Sequence, residues 1–227
     1  MTSAQIPLDL GHRPRLEDED FLVAHGNEQA YRQVTSWPGW AAPVLVLTGP
    51  AGSGKTHLAE IWRRRAHAAQ IAMDTLTEES AGAIAMSAPA LLIDPMPPAF
   101  NETAMFHLVN HLREAGGHLL IVAEHPASRW PVALPDLRSR LIAAPTIAVS
   151  SPDEALLRAV LIKLFADRQL RVTPDLVDYL MRRSERSFAG LRMLVDQLDQ
   201  ASMAGGRAIT PALAAVVLAD LAATKEG

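Results

Sequence analysis

The sequence predicts an α/β fold: a five-stranded parallel sheet with crossover helices over residues 21–150, then a small helical lid over residues 151–227. Three observations predict it. Apolar runs of strand length alternate with helix-period segments from residue 43 to 149, the pattern of strands joined by helical crossovers. One of those runs, Val44-Leu45-Val46-Leu47-Thr48, feeds a glycine-rich loop that opens a helix. Beyond Ser150 the strand signals stop, and cap residues next to proline take over.

Composition narrows the class. At 227 residues the chain has room for one large domain or two small ones with a core that needs no staples. A net charge of −4 excludes attraction of the whole surface to nucleic acid. The absence of cysteine excludes disulfides, thiolate zinc sites and thiol catalysis, and fits a reducing compartment. Met1-Thr2-Ser3-Ala4-Gln5 is no basic region followed by an apolar run, and no stretch approaches the roughly 18 apolar residues of a membrane span. The expectation is a soluble cytoplasmic protein with no membrane partner.

Residues 1–20 carry Pro7, Gly11, Pro14 and the acidic run Glu17-Asp18-Glu19-Asp20, which predicts an extended arm. Within it, Gln5-Ile6-Pro7-Leu8-Asp9-Leu10 holds three aliphatic side chains that need a place to be buried, either in a partner's pocket or as a strap on their own domain. Phe21-Leu22-Val23-Ala24-His25-Gly26-Asn27 leads into a short helix through about Ser36, a segment placed to cover an adenine, and Trp37-Pro38-Gly39-Trp40 breaks it.

The buried strand at Val44 then runs into Gly49-Pro50-Ala51-Gly52-Ser53-Gly54-Lys55-Thr56-His57, the Walker A spacing. Backbone N–H groups and the helix N-terminus wrap phosphates, Lys55 reaches the terminal ones, and Thr56 ligates magnesium. Ile71-Ala72-Met73 predicts a second strand and Thr77–Met86 a small helix. Ala90-Leu91-Leu92-Ile93-Asp94 has the Walker B form, a buried strand presenting Asp94 to hydrated magnesium. Asn101-Glu102 caps a helix with Met105, Leu108, Val109 and Leu112 at helical spacing, and Gly116-Gly117 ends it. The strand His118–Ala123 delivers Glu124-His125 to a place where a polar group could sense a terminal phosphate, although His125 also reads as a solvated loop residue. Pro135–Leu141 predicts a helical turn and Thr146–Val149 the fifth strand.

In the lid, Ser151-Pro152-Asp153-Glu154, Thr173-Pro174-Asp175 and Thr210-Pro211 each read as a cap followed by proline in the first helical position. A fourth helix runs from Ser187 to Met203, with Leu191, Leu194, Val195 and Leu198 on one face.

The Walker pair followed by a helical lid resembles the AAA+ ATPases. Phe21-Leu22-Val23…Asn27 before Gly49–Leu58, then Pro135-Asp136-Leu137-Arg138-Ser139-Arg140-Leu141, then Asp196-Gln197-Leu198-Asp199-Gln200-Ala201-Ser202, are similar to the DnaA-related regulatory inactivator family, Hda, over nearly the whole chain. The resemblance implies a relative of the ATPase part of the initiator DnaA that binds ADP or ATP with Mg2+, docks on the polymerase sliding clamp, and stimulates hydrolysis of ATP held by DnaA. It makes Gln5, Ile6, Leu8 and Leu10 the clamp-binding peptide and Arg140 an arginine finger acting in trans. An arginine suits that role through its permanent charge and rigid fork of donors; Arg138 and a pairing of Arg140 with Asp136 are the surface alternatives. Homo-oligomers are left open.

Two positions depart from the family. Pro95 stands where an active AAA+ ATPase has a second acid, so weak hydrolysis of its own is expected. The lid arginine aligns with Ala189, and Arg192, three residues on, is the candidate replacement. No Lys or Arg occurs between Arg65 and Arg113, and the chain ends before any helix-turn-helix region, so no direct DNA binding is expected. Two other functions remain compatible with the motifs: a self-sufficient P-loop ATPase or kinase, and a DnaC-like helicase loader.

Overall fold

The structure, a computed structural model, describes residues 21–205 and 208–226. Gln5, Ile6, Leu8 and Leu10 therefore lie outside the described residues. The chain divides into two compact units that meet at Ser151 and Pro152, and each is described by itself.

The first unit is built on a sheet of five parallel strands: β1 (Val44–Thr48), β2 (Ala69–Gln70), β3 (Ala90–Ile93), β4 (His118–Ala123) and β5 (Thr146–Ala148), in the order β2-β3-β4-β1-β5. β1 is buried along its whole length, as expected for a central strand covered on both faces. Its alternate residues go to opposite faces. Val44 and Val46 join Leu91, Ile93, Leu119 and Ile121 beneath α3 (Glu78–Met86), α4 (Glu102–Ala115) and α5 (Pro135–Ala143). Leu45 and Leu47 join Leu92, Leu120 and Val122 beneath α1 (Glu28–Thr35) and α2 (Lys55–Arg65).

Local chemistry sets the ends. Thr77 and Ser80 form a reciprocal capping box at α3, and the Asn101 side chain accepts from the Ala104 N–H at α4. α4 stops where Gly116 adopts φ +69°. The second strand is a correction: the ladder forms at Ala69–Gln70, two residues before the predicted Ile71–Met73. Ile71 is only the last residue to bond β3, donating its N–H to the Leu92 carbonyl at 2.8 Å, after which the chain turns. An edge strand this short has too little length for an alternation pattern.

The second unit packs α6 (Glu154–Asp167), α7 (Pro174–Arg183), α8 (Phe188–Gly205) and α9 (Pro211–Glu226) around Leu161, Phe165, Leu180, Leu194 and Leu198. Thr173 caps α7 with Pro174 in the first turn, as predicted. At α6 the expected Ser151-Pro152 start is corrected: Asp153 is the cap, its carboxylate accepting from the Leu156 N–H at 2.7 Å. The negative charge at a helix N-terminus favours that later start.

Candidate functional site

The carboxyl ends of β1, β3 and β4 bring the predicted phosphate-loop residues together. β1 hands over at Gly49, whose φ is +149°. A Cβ there would lie 2.2 Å from the Val149 carbonyl oxygen, so the close passage of the loop past the end of β5 requires glycine. Gly54, at φ +94°, is the residue from which α2 departs, so the positive end of the α2 dipole lies at the loop.

Lys55 is buried, and its ammonium donates to the carbonyls of Gly49 and Pro50, at 2.7 Å each. Burial lowers its pKa, while Glu124 and then Asp94 act in the opposite direction by their charge. The register explains the reach of Glu124. Thr48 pairs with Ala123, which sets Glu124, the residue after β4, beside Gly49. Asp94 follows β3 directly, and the exposed Thr56 hydroxyl donates to its Oδ1 at 3.4 Å, at the long limit of a hydrogen bond. Desolvation raises the Asp94 pKa, and the Thr56 hydrogen bond and the Lys55 charge partly offset it.

Ser53 is buried, and among the described residues its Oγ has no partner. An orphaned hydroxyl in a nest of backbone N–H groups fits an acceptor from outside, such as a phosphate oxygen. No three His, Asp or Glu side chains converge to hold a metal among the described residues. A cation here would take Thr56 and Asp94 from the protein and its other oxygens from phosphate and water, a set that suits magnesium.

The His57 ring is buried and stands edge-on to Phe21, 5.3 Å between centroids, while Phe21 stacks on Tyr31 at 5.5 Å. The segment before α1 thus packs on α2 immediately after the loop. One support of this site went unread in the sequence. Gln70 donates from Nε2 to the Asp94 carbonyl at 3.1 Å, fixing the backbone of the acid. Glu124, which the sequence offered as a polar group near the terminal phosphate, is the larger of the two acidic influences on Lys55.

Arg140 belongs to a different element. It lies in the last turn of α5 with its guanidinium 5.1 Å from the centroid of Phe106 on α4. Among the described residues it forms no ion pair with Asp136 or any other acid, and Arg138 is exposed. Arg192 lies half-buried on α8, one turn after the exposed Ala189. No helix among the described residues is long and apolar enough to cross a membrane.

A family model described as "Hda, lid domain" matches residues 153–215. A chromosomal replication initiator protein DnaA from Thermomicrobium roseum is 25% identical over 235 residues, covering 92% of this chain and 50% of the relative. The chain thus spans about half the length of that relative. Domain III of DnaA from Thermotoga maritima superposes with a TM-score of 0.76 at 19% identity, over 91% of this chain and 97% of that one. AMPPCP-bound DnaA from Aquifex aeolicus gives 0.68 at 17% identity, over 85% and 67%. The Holliday junction branch migration motor RuvB of Thermotoga maritima gives 0.69 at 15% identity, over 86% and 68%. At these identities the superpositions establish a common fold and nothing finer.

Proposed function

We propose that the chain is a DnaA-related, Hda-like AAA+ protein and a negative regulator of replication initiation that reads nucleotide and acts on DnaA; the lid-domain match and the likeness to DnaA support this reading. In this reading the loop from Gly49 to Thr56 holds ADP or ATP. Lys55 leaves the loop carbonyls for the terminal phosphates, and Thr56 and Asp94 hold Mg2+, Asp94 through water. The metal supplies positive charge to the phosphates. His57 and Phe21 close the start of α2, and Arg192 is the lid's candidate for a phosphate contact. The clamp-binding peptide Gln5, Ile6, Leu8 and Leu10 brings the protein to the sliding clamp, and Arg140 enters the ATP site of DnaA.

The observation that carries this reading is the division between two places in the first unit. Pro95, next to Asp94, can neither accept a proton nor orient water, so the chain's own site lacks an acid at the position next to Asp94. Arg140 meanwhile holds a guanidinium with no acid partner among the described residues, half-exposed at the end of α5. A residue so placed is available to another subunit's phosphates. Fingers of this kind contribute on the order of 10³–10⁵ in rate in GTPases, an upper guide for a partner with slow hydrolysis of its own.

The test is ATP hydrolysis by DnaA on clamp-loaded DNA, with wild-type or Arg140→Ala protein at equal clamp occupancy. Loss of most of the stimulation is expected, with nucleotide binding unchanged; equal rates would sink the finger assignment. A second reading, a self-sufficient ATPase, draws on Glu124, an acid beside the loop that could orient water in place of Pro95. Multiple-turnover phosphate release by the isolated protein would favour it. A helicase loader would capture replicative helicase rather than clamp in a side-by-side pull-down.

A further inference from the structure

α4 makes two contacts with the segment that carries Arg140. At its first turn, the Glu102 carboxylate accepts from the backbone N–H groups of Ala133 and Leu134, at 2.9 and 2.6 Å. Leu134 is the residue from which α5 departs, so an acid on one helix fastens the entry of the next. One turn further along α4, Phe106 lies under the Arg140 guanidinium. Glu102 and Phe106 share a face of α4, as residues one turn apart must. Met105, Leu108 and Leu112, all fully buried, anchor α4 on the core.

The chemistry of the Phe106 contact is informative. A carboxylate partner would occupy the in-plane N–H groups of a guanidinium and neutralise it. An aromatic face instead attracts the guanidinium without neutralising it, so the positive charge stays available for phosphate oxygens. The ring therefore restricts a long side chain without consuming what a finger needs. Ordering the side chain before the encounter removes an entropy cost that would otherwise fall on the partner complex.

We propose that Phe106 is a positioning residue for Arg140, on a platform whose second fastening is Glu102; this rests on the finger reading given above. The test uses the full chain in the clamp-loaded DnaA hydrolysis assay, titrated to saturation. Phe106→Leu keeps an apolar side chain of helical preference but removes the aromatic face. It lowers the maximal stimulated rate about two- to fivefold, the size of a partly exposed cation–π contact. The half-saturating concentration and the melting temperature stay at wild-type values, and Phe106→Tyr restores the rate. In the Arg140→Ala background, Phe106→Leu has no further effect. If Arg140→Ala itself retains full stimulation, the finger reading fails and this inference with it. If Arg140→Ala abolishes stimulation but Phe106→Leu matches or exceeds wild type, or Phe106→Tyr behaves like Phe106→Leu, the ring does not position Arg140 and the inference is overturned while the finger stands.

Discussion

Replacing Gly49 by alanine tests whether the loop is held by the sheet beneath it. The added Cβ would sit 2.2 Å from the Val149 carbonyl oxygen and 3.1 Å from Ser53 Oγ. The first distance is shorter than any tolerated contact, so one of the two backbones must move by about 1 Å. The Val149–Ser150 peptide cannot yield freely. The Val149 N–H donates to the Thr48 carbonyl at 2.8 Å and the Ser150 N–H to the Gly26 carbonyl at 3.0 Å. Strain at a φ of +149° adds about 1–3 kcal/mol, and one displaced hydrogen bond about 1 kcal/mol. The sum, about 2–4 kcal/mol, lowers the melting temperature by roughly 4–16 °C at about 2–4 °C per kcal/mol. Gly116→Ala is the control, since that glycine has φ +69° but nothing within 4 Å of the methyl that alanine would add. It carries strain without collision. Thermal unfolding by circular dichroism and titration with a fluorescent adenine nucleotide read both variants. Gly49→Ala should melt well below Gly116→Ala and lose nucleotide affinity. If the two melt together and both bind nucleotide like wild type, the close passage does not constrain the loop.

Two further predictions follow from the buried ionisable groups. Asp94 has a native pKa above its unfolded value, so its charge costs stability once pH exceeds the ordinary carboxylate range. Asp94→Asn should therefore raise the melting temperature at pH 7, with the gain disappearing as pH falls below that range, and should abolish magnesium-dependent nucleotide binding; melting curves across pH without nucleotide check the sign. His118 titrates below its ordinary value of 6.5 because it is partly buried, where its ring meets Trp37 and Trp40 edge-on. The unfolded chain takes up that proton first, so stability falls as pH drops below 6.5 and levels off beneath the native pKa; tryptophan-detected unfolding should show this slope in wild type and lose it in His118→Asn.

Elements with strong local signatures were legible in the sequence. β1 and β3 are short apolar runs bounded by loop chemistry, α3, α4 and α7 carry side chains that cap them, and the glycines of the loop fall where φ is positive. What failed was decided by competition or by distance along the chain. Ile71-Ala72-Met73 looks more strand-like than Ala69-Gln70, yet the ladder with β3 is set by Leu91 and Leu92, and Ile71 is buried after it ends. Ser151 and Asp153 could each cap α6, and the residue whose side chain meets the Leu156 N–H wins. Gln70 reaches Asp94 across 24 positions, and Glu102 reaches Leu134 across 32. Neither contact leaves a mark in local composition, because only the packed sheet and its helices bring the partners together.

The same geometry gives the proposed activities separate supports. α2, which begins at the phosphate loop, packs on the sheet face lined by Leu45, Leu47 and Val122. α4 and α5, which carry Phe106 and Arg140, pack on the other face with Val46, Ile93 and Ile121. Side chains with no shared partner couple weakly, so a change at Phe106 should leave the loop's ligand affinity intact, and a change at Lys55 should leave the contact of Arg140 with Phe106 intact. Lys55 and Asp94 each bear a charge that burial disfavours, and a magnesium nucleotide offers each the opposite charge. Binding would then add stability to the native state in proportion to ligand occupancy. With Pro95 in place of an acid, that gain would persist rather than being discharged by rapid turnover. The loop would thus serve to hold the first unit in one state, while the proposed work on a partner's ATP would fall to the opposite face of the sheet.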